Sequence, residues 1–368
     1  MPPETETRGR WEAANGVHPD PKKGIAPGSN DSGDKSLEAR DGRGRKSDGD
    51  TKDGEPAYYD ISLLKAPLWT PEVGTYFFLG GMSSACFSVA RLADRFGRGQ
   101  YREVTKAGTL IAALAALPCA PLLIWDLGDR SRFHHMLRVW KPSSPMNLGS
   151  WTLTVYTLTG GIAALRELLR VRRHDAALSG AGRIIDETAG LVADGVGVPL
   201  GLLLAGYTGV LLSTTSTPVW SRNSWIGALF SASAVSAGTG AVRLALEVVG
   251  QDGAGTEALG KVETAAHIAE AIAQVGFVRE AGPLAKPLLV GGQKTLYWTS
   301  VVAGVILPEV LNRVPVARKH KRWMSVAAGV VSLVGGFALR QAFVEAGRPS
   351  ALDPDAARLA TGERGGTA

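Results

Sequence analysis

Apolar and polar positions divide the chain into a polar leader and a series of long uncharged windows. From Met1 to about Pro56, Gly, Asp, Lys, Arg, Ser and Pro follow one another with no hydrophobic period. Such a stretch cannot bury enough apolar surface to offset the entropy of ordering, and a disordered tail is expected. After residue 70 the pattern inverts. A helix needs about 20 mostly apolar residues to cross a hydrocarbon core roughly 30 Å thick. Windows close to that length recur at Val73 to Ala90, Ala107 to Trp125, Leu148 to Leu165, Gly195 to Ser216, Asn223 to Val242, Val262 to Val278, Thr295 to Leu311 and Trp323 to Leu339. The second contains Pro118 and Pro121, which a packed membrane helix tolerates. The sixth carries Glu263, His267 and Glu270 and reads either as a span facing the bundle or as an interfacial helix. Gly80, Gly81, Ser83 and Ser84 in the first window, and Gly160, Gly161 and Ala163 in the third, allow close helix approach where no hydrophobic effect operates between helices. The pattern predicts an all-α polytopic transmembrane bundle of about eight spans over residues 57–348, between a disordered polar tail at 1–56 and a flexible C-terminal tail at 349–368.

Composition sharpens this picture. The mean hydropathy of +0.05 averages a tail holding 10 basic and 12 acidic residues in its first 57 positions with a very apolar remainder. No basic stretch followed by an apolar run and a small-residue cleavage site opens the chain, so the first span is expected to act as the targeting signal. Basic residues of the remainder lie between the apolar windows, as in the loops of a polytopic membrane protein, and nucleic acid is not the natural partner. With eight spans, the odd-numbered loops carry sixteen Lys and Arg against eight in the even-numbered ones. The positive-inside rule then puts the odd loops in the cytoplasm and leans both termini to the outer side. Two cysteines, Cys86 and Cys119, cannot make a four-thiolate iron–sulfur site and lie in apolar runs, so no metal site is expected in this chain.

Candidate chemistry concentrates between the second and third spans, in DLGDRSRFHHMLRVWKPSSPMNLGSW, Asp126 to Trp151. Asp126 closes an apolar helix, Arg130 and Arg132 follow, and Arg138 and Lys141 precede a Pro/Ser turn. Such a loop would lie across the mouth of the bundle, although an Asp beside Arg residues at a helix end equally serves to tie a loop down. A second set of ionisable residues falls in or beside the spans: Asp194, Arg243, Glu247, Glu270, Glu309 and Arg340. Charges there face the bundle interior or pair, and either pin helices or form a proton path.

These motifs resemble the NrfD/polysulfide reductase membrane-subunit family. The resemblance is carried by Tyr58-Tyr59, Lys65-Ala66-Pro67-Leu68-Trp69, the run Tyr76 to Gly81, the loop Asp126 to Trp151, the run Tyr207-Thr208-Gly209-Val210-Leu211-Leu212, and the closing Val344-Glu345-Ala346-Gly347. It covers roughly residues 57 to 348, departing at Asp129-Arg130-Ser131, where the family usually has Arg-Pro plus one residue.

The resemblance implies a membrane anchor without haem or iron–sulfur cluster of its own. Such an anchor holds a quinone, menaquinone in the first instance, and docks a ferredoxin-like iron–sulfur subunit that serves a molybdopterin catalytic subunit. Electrons would pass between cluster and quinone. Tyr207 matches the position of a family tyrosine that donates to the quinone. Asp126 and Glu72 are the nearest candidates for proton exchange, and Trp69, Tyr76, Phe133 and Met136 would wall the ring. Lys65, Arg132, Arg138 and Lys141 would form part of the dock, where a partner's acidic surface or phospholipid head groups would satisfy them equally. Tyr and Trp at span ends also serve as interfacial anchors. A cytochrome-b type anchor is excluded on histidines, since two haems need four axial ligands and only His267 of the six lies within a window. A secondary transporter or a purely structural anchor remain the rival readings.

Overall fold

A computed structural model describes residues 64–97, 99–173, 179–251, 253–315 and 318–362. The chain divides into units at Met1–Glu55 and Pro56–Ala368, and the described residues belong to the second. The tail expected at 1–56 and the pair Tyr58-Tyr59 lie outside the described residues.

The described residues form helices α1 (Pro71–Phe96), α2 (Arg102–Ala116), α3 (Cys119–Asp126), α4 (Pro145–Arg172), α5 (Gly180–Val192) and α6 (Val198–Ser213). The series continues with α7 (Trp225–Val249), α8 (Ala254–Ala281), α9 (Lys286–Leu289), α10 (Lys294–Val301), α11 (Leu307–Arg313), α12 (Arg318–Leu352) and α13 (Pro354–Gly362). There are no strands among the described residues. Helix α3 continues α2 through the break at Leu117 and Pro118, and π-helical turns at Ala193–Gly197 and Val302–Ile306 join α5 to α6 and α10 to α11. Each π turn is followed by a proline at the second position of the next helix, Pro199 and Pro308, where its missing N–H falls in the first turn.

Every expected window is largely helical. Five helical stretches among the described residues are long and apolar enough to cross a membrane by length and composition: Pro71–Phe96, Arg102–Asp126, Gly180–Ser213, Trp225–Val249 and His320–Leu352. The count of about eight is therefore not established by that criterion. Helices α4 and α8 each run 28 residues, about 42 Å at 1.5 Å per residue, so length is not what they lack. In α8 the ionic residues Glu263, Glu270 and Arg279 dilute the apolar character, whereas Pro145 to Leu165 of α4 is uncharged and is diluted by its Thr, Ser, Gly, Tyr and Trp residues.

Helix α7 is the centre of the bundle, packed along α8, α12, α1 and α6. Aromatic rings fill the space where α1, α7, α8 and α12 meet. Phe77 packs edge-on to Phe230, Phe230 to Phe343, and Phe343 against Phe277, with centroids 6.4, 5.4 and 4.8 Å apart. The closest backbone approach lies where the second π turn meets α12. A Cβ on Gly335 would overlap the backbone of Gly304, so only glycine allows that crossing.

Two expectations change. Arg91, counted as a loop cation, is buried inside α1 and pairs with Asp194 of the first π turn at 2.5 Å and with Asp94 at 3.2 Å. The flexible tail expected at 349–368 is helical as far as it is described. Helix α12 runs to Leu352 and α13 follows; Ser350 is fully buried and its hydroxyl receives the Val219 N–H at 3.0 Å, and Ala356 and Ala357 are buried. The alternation of polar and small residues hides this docking, because alanines bury without leaving a strong hydropathy signal.

Candidate functional site

The approach to α1, the loop between α3 and α4, and the loop between α6 and α7 lie at one end of the bundle. The Thr70 hydroxyl donates to Asp126 Oδ1 at 2.7 Å and the Thr70 N–H reaches the same oxygen at 3.4 Å. Thr70 is the residue at which α1 begins, with Pro71 as its first helical residue, so Asp126 fixes the start of α1 from the end of α3. Glu72 follows in the first turn, half-buried, where its charge suits the positive end of the helix. Trp69 stacks on Trp220 with centroids 5.2 Å apart and planes 17° from parallel, and meets Phe77 edge-on. Trp220 is fully buried and donates its indole N–H to the Phe343 carbonyl at 2.9 Å.

Tyr207 projects from α6 toward the start of α4. Its hydroxyl donates to the Pro145 carbonyl, and its ring lies over Gly149, where an added Cβ would fall 2.5 Å from the phenolic oxygen. Gly149 is thus the cradle of the Tyr207 ring. Tyr76 is buried beside Cys119 and within electrostatic reach of Tyr207. Trp151, one turn of α4 from Asn147, holds an indole N–H that is buried without a hydrogen-bond partner.

The loop itself is short-range structure. Arg130 to Leu137 form 3₁₀ turns opened by Asp129, whose carboxylate receives the Ser131 N–H at 3.2 Å and pairs with Arg132 at 2.9 Å. Asn147 then fastens the loop to α4: its Nδ2 donates to the Met136 and Val139 carbonyls at 2.8 and 2.9 Å, and its Oδ1 receives the Lys141 N–H at 2.8 Å.

Of the residues singled out from sequence, the structure gathers Trp69, Glu72 and Asp126 around Thr70, and Tyr76 and Tyr207 beneath the start of α4. Met136 is half-buried against α4 through the Asn147 clamp, whereas Phe133 is 44% exposed and touches His134 instead of the buried tyrosines. Lys65, Arg132, Arg138 and Lys141 lie on this face, with Arg132 already engaged by Asp129. Sequence reasoning passed over Trp220, Asn147 and Gln341, whose Nε2 donates to the Pro71 carbonyl at 2.9 Å. A single uncharged amide or indole has no periodicity to reveal it.

The arrangement offers a phenol donor, Tyr207, with the carboxylates Asp126 and Glu72 at the same end of the bundle. Such a set recognises carbonyl oxygens and exchanges protons, and no group of three or more His, Cys, Asp or Glu able to hold a metal ion occurs among the described residues.

Comparison with known proteins supplies an independent line. The family profile described as "Polysulphide reductase, NrfD" matches residues 65–349. The C subunit of polysulfide reductase from Wolinella succinogenes is 28% identical over 320 residues, covering 78% of this chain and 96% of that one. A protein described as an NrfD homolog in Haemophilus influenzae is 23% identical over 309 residues, covering 76% and 94%.

Proposed function

The chain belongs to the polysulphide reductase NrfD family and is a multi-pass membrane protein, and from that premise we propose that it is the quinone-reactive membrane subunit of a multi-subunit molybdopterin oxidoreductase. It anchors an iron–sulfur subunit and passes electrons between that subunit's cluster and membrane quinone, with menaquinone the first candidate. Quinone, when bound, supplies two-electron, two-proton redox chemistry. This chain's own residues orient it and handle its protons.

The observation that carries the reading is the Tyr207 hydroxyl. It is buried at the end of the bundle, held over Gly149, and donates to a backbone carbonyl that already lies in a helix start. Turning from Pro145 to a ring carbonyl exchanges one acceptor for another at little cost. Asp126 and Glu72 flank Thr70 and are the groups proposed to exchange protons with the bound ring. Trp69, Tyr76 and Met136 wall the ring, and Phe133 follows only if the loop folds inward over it. Lys65, Arg132, Arg138 and Lys141 present a basic surface for an acidic iron–sulfur partner on this same face. All eight helical windows span the membrane in this reading, with both termini on the outer side.

The test is purification of the complex from membranes through a tag on this chain, identification of co-purifying subunits, and assay of reduction of a menaquinone analogue. Recovery of a ferredoxin-like subunit and a molybdenum subunit with quinone turnover is expected. A chain that purifies alone without any quinone-dependent signal refutes the proposal and restores the transporter reading.

A further inference from the structure

Helix α7 begins beside the loop whose Trp220 stacks on Trp69 and ends at Val249, so its far end lies away from the Tyr207 site. Gly250, in the left-handed region at φ 82°, closes it there. Between that end and α8, α11 and α12 opens a cavity of about 1000 Å³, at the upper end of the roughly 300–1,000 Å³ that small-molecule sites occupy. Five basic residues line it: Arg243 from α7, Lys261 from α8, Arg313 from α11, and Lys321 and Arg322 from the start of α12. Three carboxylates line the same space, and each already has a cation. Glu247 holds Arg243 at 3.0 Å, Glu309 holds Arg313 at 2.7 Å, and Glu257 holds Lys261 at 2.8 Å.

Lys321 and Arg322 are left over. Both are exposed, and neither forms an ion pair among the described residues; Lys321 stands within electrostatic reach of Glu257, which Lys261 already holds. Arg322 is nevertheless held in place: its Nη2 donates to the Val248 carbonyl at 2.7 Å, and its guanidinium lies against Gly250. That bond spends one donor of the guanidinium fork and leaves the others for a ligand. The surrounding charge has the same sign. The sequence at the start of α12 reads Arg318-Lys319-His320-Lys321-Arg322, with no acidic residue in the first turn, where the helix dipole is itself positive. Depth then selects the kind of anion. The candidate spans Trp225–Val249 and His320–Leu352 both end at this cavity, Trp323 is exposed one residue beyond Arg322, and Val248 and Val249 are exposed at the end of α7. Cations flanked by an exposed indole and aliphatic side chains at the end of a span lie at the level of phospholipid head groups. A zwitterionic head would also bring an ammonium group, and no lining carboxylate without a cation remains to receive it.

We propose that this cavity seats the head group of one anionic phospholipid, with its phosphate between Lys321 and Arg322 and its acyl chains against Val248 and Val249. The phosphate takes the guanidinium donors that the Val248 carbonyl leaves and the Lys321 ammonium, and its charge offsets the basic run at the start of α12. Bound there, the lipid ties the end of α7 to the start of α12. In the orientation proposed above the cavity faces the inner leaflet, where basic pockets between spans meet anionic head groups. The inference rests on the placement of the chain in a membrane and not on the role of Tyr207.

Native mass spectrometry tests this on the full chain, purified from membranes with any subunits that accompany it and stripped of lipid in a non-ionic detergent. The probes are dioctanoyl phosphatidylglycerol, dioctanoyl phosphatidylcholine and inorganic phosphate. One phosphatidylglycerol adduct per chain is expected at concentrations where phosphatidylcholine is not retained, with its affinity lowered about tenfold or more in Lys321→Gln with Arg322→Gln. Arg322 also holds the end of α7, so two variants that spare it serve if the double one fails to assemble: Lys321→Gln, which removes an exposed charge outside any ion pair, and Thr264→Trp, which fills the cavity without altering a charge. Each is expected to weaken the adduct. Equal retention of phosphatidylcholine, or an adduct unchanged in these variants, overturns the proposal. Displacement of the lipid by an equal concentration of inorganic phosphate overturns it too, making the cavity a site for a free anion.

Discussion

Replacing Tyr207 by Phe removes one oxygen and leaves the ring over Gly149, which makes it the cleanest probe of the proposed quinone site. In the resting structure the lost bond is the one to the Pro145 carbonyl. That carbonyl begins helix α4 and keeps its place in the helix, so the stability cost is that of one neutral hydrogen bond, about 1 kcal/mol. In thermal unfolding of the detergent-solubilised complex this amounts to at most about 2–4 °C. The functional cost is larger if the hydroxyl donates to an oxygen that gains negative charge during electron transfer. A charge-assisted hydrogen bond is worth about 1.5–3 kcal/mol, which lowers kcat/KM for a menaquinone analogue roughly 10- to 150-fold. Gly149→Ala should mimic this by a different route, since its Cβ would strike the phenol and drive the ring from its seat. Its overpacking cost of about 1–3 kcal/mol would appear in the same unfolding assay. A fully assembled Tyr207→Phe complex with wild-type kcat/KM refutes the argument and leaves Tyr207 as a tie between α6 and α4.

Other perturbations follow from contacts on the same face and in the interior. Asp126→Ala removes the acceptor that fixes Thr70 at the start of α1 and should cost about 1–2 kcal/mol, read by thermal unfolding; an unchanged midpoint would show the anchor to be redundant. Gly347→Ala would push a methyl into the Trp220 ring and break its stack on Trp69, costing about 1–3 kcal/mol and shifting tryptophan fluorescence, whereas an unaltered spectrum would deny that packing. Arg138→Glu with Lys141→Glu reverses two exposed charges at the proposed dock, so recovery of the iron–sulfur subunit should fall and its salt sensitivity change; recovery equal to wild type at every ionic strength would move the dock elsewhere.

Helix positions were readable from the sequence because an apolar window about 20 residues long has few soluble alternatives. Charge left the window at Val262 to Val278 open between a span and an interfacial helix, and the structure supplies the reason charges beside and within the windows are tolerated. Glu167 is buried against Arg102 at 2.5 Å, and Glu263 against Arg243. Such partners come from helices distant in the chain, as with Arg91 and Asp194, and no local period announces them. At the candidate site the motif residues Asp126, Tyr76 and Tyr207 were legible, while the elements that hold them, Thr70, Gly149, Asn147 and Trp220, were not. Holding residues work by shape and by single hydrogen bonds to backbone, and their identities are common in any loop or helix. Phe133 shows the converse: a residue within the motif is exposed and meets His134, which no local pattern announces.

The π turn at Val302–Ile306 has a consequence for how this chain tolerates change in length. A π turn is a helix holding one surplus residue, taken up within a single wide turn, so the residues after it keep the phase of a regular helix. The same surplus residue in a regular α-helix would swing every later side chain by about 100°. The turn thus lets the run carry one extra residue while Glu309 still meets His267, Arg313 still reaches Glu309, and Gly304 still meets Gly335. A deletion within the turn should leave those pairings standing, whereas a deletion inside α10 or α11 would break them.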